Sequence, residues 1–156
     1  MKINLIAVGK KMPSWVNAGY EEYAKRLSHH CTLQLIEIPL VTRSKNTNVS
    51  QLLEQESQKI LHVIPNKSYS IALDVNGQAW DTAKLAKQLQ QWQMQQHEIN
   101  FLIGGPDGLA ASCKQQAQQS WSLSDLTFPH PLVRIILVEQ LYRAFSILSH
   151  HPYHRE

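Results

Sequence analysis

The run WSLSDLTFPHPLVRIILVEQLYRAF, residues 121–145, decides how the rest of the chain is read. Pro129 and Pro131 flank His130. Each proline fixes its own φ and steers the residue before it away from the α region, so the three form a stiff corner. Pro131 suits the first turn of a helix, where its missing N–H would be unpaired anyway. A short polar-apolar segment therefore ends in a rigid corner that opens a long, mostly apolar helix. That helix carries Arg134, Glu139, Gln140 and Arg143, which argues against a membrane span.

Upstream, strand and helix patterns alternate. Residues 2–8 read as a buried strand ending at Gly9, and 14–27 as a helix with Trp15, Ala18, Tyr23 and Leu27 near one face. A strand at 34–39 leads into a polar loop at 42–48. Asn48 or Ser50 is placed to cap the next helix, which runs to His62 before Pro65-Asn66 breaks it. A strand over 69–75 ends at the turn signal Asn76-Gly77, and Asp81-Thr82 caps a helix bearing Leu85, Leu89 and Trp92. The six glutamines of 88–96 read as a solvated helix surface, because Leu89 and Trp92 keep helical spacing. A strand over 99–103, a helix over 109–119 and a fifth strand over 123–127 complete the series. With no repeat and no linker, the pattern predicts one domain, 1–156, of α/β class: a mainly parallel sheet with helices on both faces. Ligands of such sheets gather at the carboxyl ends of the strands. Three places qualify: the loop after Leu73-Asp74, the loop at 104–108 and the segment 126–131.

Composition sets the outer limits. The 156 residues are enough for a core without staples. Cys31 and Cys113 lie far apart with no CxxC, so a reducing cytoplasm is the expected setting. The first thirteen residues lack the h-region and cleavage site of a signal peptide. Net charge is +3, and the excess is N-terminal: residues 1–50 hold seven Lys/Arg against three Asp/Glu. Lys10, Lys11, Arg43 and Lys45 fall in predicted loops, a placement that suits a polyanion such as RNA as well as plain solvation.

Several constellations carry chemistry. IGGPDGL, 103–109, holds three of the chain's six glycines between a strand and a helix. There the backbone can approach a ligand closely. The spacing is neither GxGxxG nor a P-loop. Cys113 with His130 would make a nucleophile and base, but alanines around Cys113 favour a small core residue. His150, His151 and His154 lack a partner with metal-ligand spacing, so no metal is expected. Glu139 and Arg143 stand four apart in the favourable order for an ion pair. Tyr153, His154 and Arg155 place a stacking ring, a titratable group and a phosphate-binding fork at the C-terminus.

Taken in order, LIAVGKKMPSWVNAGYEEYAKR, LIEIP, FLIGGPDGL, WSLSDLTFPHPLVRIILVEQLYRAFSI and HPYHRE resemble the ribosomal large subunit RNA methyltransferase H family. These are SPOUT-class enzymes that methylate N3 of a pseudouridine in 23S rRNA. The similarity spans the chain, and the GGPxGL loop and the PHPLxR…E.LYRA run are its specific parts. Asp107 stands where many members would carry Glu, and the Gln-rich stretch is individual. The resemblance implies a C-terminal trefoil knot, a cytoplasmic homodimer, the ribosome or its 23S rRNA as partner, and S-adenosylmethionine as cofactor. The cofactor residues would be Leu73, Gly104, Leu123, Ser124, Asp125, Leu126, Thr127 and Phe128.

The attacking imide nitrogen must lose a proton, so the site needs a base and a group that stabilises the anion. Arg143, Tyr153 and His154 are the expected catalytic residues, with His154 taking the proton and Arg143 balancing charge. His130, the competing base, and Arg155 are expected on the RNA side. The rival classes are a noncatalytic ribosome-binding module and a different small-molecule enzyme on a similar sheet.

Overall fold

The computed structural model describes residues 1–155. In chain order the elements are β1 (Lys2–Val8), α1 (Ser14–Leu27), β2 (Thr32–Ile38), α2 (Val49–Val63), β3 (Tyr69–Ala79), α3 (Thr82–Gln95), β4 (Glu98–Ile103), α4 (Ala111–Gln116), β5 (Gln119–Ser122) and α5 (His130–Leu148). All strand pairs are parallel, in the order β2-β1-β4-β3-β5. β1 and β4 are central strands covered on both faces, which is why their sequences are near-continuous apolar runs rather than alternating ones.

Alternate side chains of these strands feed two cores. Ile3, Leu5, Phe101 and Ile71 meet Leu27 of α1, Leu85, Leu89 and Trp92 of α3, and Leu137, Leu141 and Phe145 of α5. Ile6, Val8, Leu102 and Ala72 point the other way, onto Ile60 of α2 and Cys113 of α4. The two-sided parallel sheet predicted from the pattern is thus present. Cys113 is a fully buried core residue, and burial pushes its thiol pKa up to about 11, away from any nucleophilic role. Both predicted caps form: Asn48 accepts from the Gln51 N–H at 3.3 Å and Asp81 from the Lys84 N–H at 2.7 Å. Among the described residues no helix is long and apolar enough to cross a membrane.

Five expectations need correction. The fifth strand is Gln119–Ser122, not 123–127. β3 does not end at Asn76-Gly77 but continues to Ala79, after a register shift against β5 between Leu73 and Gln78. Gly77 is required there because β5 runs against it: a Cβ would lie 2.7 Å from the Ser120 carbonyl carbon and the Trp121 nitrogen. α4 is only Ala111–Gln116, since Ala110 is extended and its N–H donates to Ser57 Oγ at 3.1 Å. On α1 Val16 and Leu27 are buried with Tyr20 and Tyr23 partly covered between them, leaving Trp15 56% exposed and Ala18 in solvent. The Gln-rich end of α3 is likewise not uniformly solvated, because Gln88 is buried and accepts from Gln119 Nε2 at 2.9 Å.

Candidate active site

At the carboxyl edge of the sheet the ends of β3, β4 and β5 surround one cleft of about 610 Å³. The β3 irregularity supplies Leu73, Asp74, Val75 and Asn76. The glycine loop supplies 104–108, and the segment after β5 supplies Leu123, Ser124, Leu126, Thr127 and Phe128. Seven of the eight residues expected to hold the cofactor therefore line the same wall. Asp125 does not; it is exposed on the outer side of its loop.

The glycine loop is closed on itself. Gly105 and Gly108 form an isolated bridge, and the Gly108 N–H donates to the Gly105 carbonyl at 3.0 Å. A Cβ on Gly104 would lie 2.4 Å from the Gly108 carbonyl carbon, so no side chain fits there and the bare backbone faces the cleft. Opposite, Lys114 of α4 pairs with Asp74 at 3.0 Å. Nothing in the sequence spacing of 74 and 114 announces that pair. The segment after β5 is held by the Ser122 hydroxyl, which donates to the Ser124 carbonyl at 2.9 Å, and by the Leu126 N–H, which donates to Ser124 Oγ at 3.0 Å. Leu126 remains 68% exposed at the mouth.

His130 and Val133 carry the wall into α5. One turn on, Arg134 is the largest fully buried side chain. It donates to the Gly9 carbonyl at 2.6 Å and to Glu37 Oε2 at 2.7 Å, tying the corner to the ends of β1 and β2. Gly9 has φ +115°, and a Cβ there would lie 3.4 Å from His130 Cε1 and 3.5 Å from Arg134 Nη2. Burial, then the charges of Arg134 and Arg43, hold the His130 pKa below the ordinary value, against a hydrogen bond to the Val8 backbone. The imidazole is neutral at pH 7, and its Nδ1 has no hydrogen-bond partner among the described residues.

Arg143, Tyr153 and His154 meet one another, but not at this cleft. Glu139 of α5 organises them, as its Oε1 accepts from Arg143 Nε at 2.9 Å, Arg143 Nη2 at 2.5 Å and the Tyr153 hydroxyl at 3.0 Å. The Glu139–Arg143 pair is the one read from the four-residue spacing. Tyr153 also lies under the Arg143 guanidinium, 4.8 Å from ring centroid to Cζ, and Arg143 Nη1 stands 3.5 Å from His154 Nδ1. Arg155 is exposed beyond them. Arg143 comes thirteen residues after His130, so at roughly 1.5 Å per residue the cluster lies ~20 Å along α5 from the cleft. Burial and Glu139 push the Tyr153 pKa up to about 12, which keeps the phenol a donor.

The cleft has the features a methyl donor of the adenosyl type requires. It offers apolar walls at Leu73, Ile103 and Phe128, a backbone face at Gly104 and a carboxylate at Asp74. An all-parallel sheet covered by helices on both faces, with a cleft where a glycine loop meets a proline corner, defines the class as an α/β protein of the doubly covered type. The chain belongs to the SPOUT methyltransferase family, whose model, described as "Predicted SPOUT methyltransferase", matches residues 1–154. Membership implies the C-terminal knot. The chain is 50% identical over 155 residues to "Ribosomal RNA large subunit methyltransferase H" of Methylococcus capsulatus, covering 99% of this chain and all of that protein. A solved structure of a probable methylase family protein from Haemophilus influenzae Rd KW20 shares the fold. It has a TM-score of 0.55 at 12% identity, over 99% of this chain and 70% of that one.

Proposed function

We propose that this methyltransferase acts on N3 of a pseudouridine in 23S rRNA, in the large subunit or the assembled ribosome, and that it works as a cytoplasmic homodimer. The near full-length 50% identity to the Methylococcus relative carries the substrate class. The resemblance of the PHPLVR…LYRA run and the tail carries the choice of atom.

S-adenosylmethionine supplies a methyl group made electrophilic by its sulfonium, which leaves the protein to position, desolvate and manage a proton. Leu73, Gly104, Leu123, Ser124 and 126–128 hold the donor in this reading, with the main-chain groups of the closed glycine loop presented to it. His154 accepts the N3 proton, and Arg143 stabilises the negative charge that the base acquires. Tyr153 anchors the pair to Glu139. His130 and Arg155 face the RNA.

Two observations support the dimer. α5 is apolar on nearly every side, yet Leu132, Val133, Ile135 and Ile136 are not fully buried; a helix of that kind is ordinarily enclosed. Beside it, Gly19 of α1 packs on Ile135, and one turn earlier Trp15 is left exposed. A second copy on this strip supports a site in which the Arg143 cluster of one protomer serves the cleft of its partner.

The test is methyl transfer from labelled S-adenosylmethionine to ribosomes purified from cells lacking this enzyme, compared with free 23S rRNA. Nuclease digestion and mass spectrometry should return 3-methylpseudouridine from one site. Saturable cofactor binding with no label on either RNA would overturn the assignment. A calorimetric titration with no cofactor site at all would leave a noncatalytic ribosome binder.

A further inference from the structure

Arg43 reads from the sequence as part of a free basic loop, but the structure spends its charge internally. Glu56 of α2 is a buried carboxylate whose side chain is 2% exposed. Such a group must be satisfied by donors, and here they come from the loop after β2. The Val41 N–H donates to Oε2 at 3.1 Å, while Arg43 Nη1 and Nη2 donate to its two oxygens at 3.2 Å each. Arg43 Nη1 also donates to the Val41 carbonyl at 2.9 Å, which fixes the guanidinium. Its remaining edge turns the other way, and Nε donates to Asp107 Oδ2 at 2.7 Å.

Asp107 belongs to the glycine loop that lines the methyl-donor cleft. A second contact runs parallel to the ion pair, since Leu40 lies against Gly105 so closely that a Cβ there would be 3.2 Å from Leu40 Cδ1. One guanidinium thus bridges a fixed post on α2 and the wall of the cofactor cleft. Immediately after Arg43 the chain makes a small turn, with the Ser44 N–H donating to Thr47 Oγ1 at 2.6 Å. This turn holds Ser44, Lys45 and Asn46 out in solvent. Donors of this kind suit phosphate oxygens of a polyanion.

We propose that Arg43 is a positioning residue that couples occupancy of the methyl-donor cleft to the placement of the 44–47 turn against RNA phosphates. The inference rests on the rRNA reading above. A filled cleft fixes the glycine loop, Asp107 then holds Arg43, and the turn is ordered before RNA arrives. RNA binding bears less of the ordering cost, so the two ligands bind with positive cooperativity, and linkage makes the effect reciprocal. The planar fork is essential because it must reach two carboxylates in different directions, which a lysine cannot do.

The experiment measures the affinity of the full-length protein for unmodified ribosomes with no cofactor and at saturating S-adenosylhomocysteine. Wild type should bind about tenfold tighter with the cofactor product present, inside the usual range of such couplings. Arg43→Lys, which keeps the charge, and Asp107→Asn, which leaves the Arg43–Glu56 pair intact, should each reduce that ratio to below about twofold. Saturating cofactor removes any change in cofactor affinity from the comparison, and thermal denaturation confirms that Asp107→Asn is folded. A ratio retained in both variants, or absent from wild type, overturns the coupling and leaves the rRNA reading standing. Wild type that fails to bind ribosomes under both conditions overturns that reading and the coupling with it.

Discussion

The Tyr153 hydroxyl donates to Oε1 of Glu139 at 3.0 Å, and the same oxygen receives Arg143. The C-terminal segment is therefore anchored to α5 rather than left as a loose end. Tyr153→Phe removes that hydrogen bond and should cost about 1 kcal/mol of stability in a denaturant titration. A loss of methyl transfer of about tenfold should accompany it if the anchor also positions His154. The folded pKa of Tyr153 is raised from 10 to about 12. The stability this confers is therefore complete below pH 10 and fades as pH rises toward 12. Phenolate absorbance should show a late-titrating component to which Tyr20, also pushed up to about 12 by burial, and Tyr153 both contribute, and Tyr153→Phe should shrink that component by one tyrosine.

The glycine loop yields a contrast between two neighbouring positions. Gly104→Ala puts a methyl 2.4 Å from the Gly108 carbonyl carbon, so backbone must move and the cleft wall opens. Gly108 has φ +81° but open space around its missing Cβ, so Gly108→Ala costs only the left-handed strain of about 1–2 kcal/mol. Calorimetry with S-adenosylhomocysteine should show affinity falling by more than tenfold for Gly104→Ala and much less for Gly108→Ala. Equal losses would mean that loop conformation, and not the closed bridge, governs binding.

How far these features were legible follows from where physical periodicity operates. β1, β4 and the long helices announce themselves because each buries a continuous run or a stripe. The glycine loop stands out because only glycine tolerates its close approach. The stretch 123–127 reads as a strand only for its apolar Leu123 and Leu126, which do not alternate, while the true β5 is Gln119–Ser122, whose glutamine and serines have little strand propensity and are held by β3. Asn76-Gly77 looked like a turn for the opposite reason: its glycine answers to the backbone of β5, a tertiary neighbour. Helical spacing puts Trp15 near one face with Tyr23 and Leu27, and its exposure shows that an apolar residue also marks a surface needing cover. Arg134 and Glu56 were passed over as site organisers, since a buried charge is defined by partners far along the chain, and spacing within one element does not reveal them.

His130 titrates below the ordinary histidine value of 6.5, chiefly because it is buried and then because Arg134 and Arg43 are near. A depressed pKa means that the unfolded chain takes up the proton first. The stability linked to the neutral ring is thus present above pH 6.5 and is lost as pH falls through the lower folded value. His130→Gln should flatten the decline of the thermal midpoint between about pH 6.5 and 5. NMR titration of the ring protons in the folded protein should place His130 below the exposed histidines; a value at or above 6.5 would remove the basis for treating it as neutral in the cleft.

The separation between His130 and the Arg143 cluster, ~20 Å along one helix, makes the subunit arrangement testable by mixing. In the proposed dimer each cleft is completed by the partner's Arg143, Tyr153 and His154. A protomer carrying Gly104→Ala has a defective cleft and a sound cluster, while one carrying Arg143→Ala has the reverse. Each homodimer should be nearly inactive. Unfolded and refolded together in equal amounts, half of the dimers are mixed. Every mixed dimer then joins the sound cleft of one chain to the sound cluster of the other at one of its two sites. About a quarter of wild-type kcat should return, a statistical expectation for closed two-fold pairs. If each cluster serves its own chain's cleft, every site in the mixed dimer contains one defect and no activity returns. Single-turnover methyl transfer to ribosomes distinguishes the two outcomes directly, and sedimentation equilibrium on the same sample verifies that mixed dimers formed.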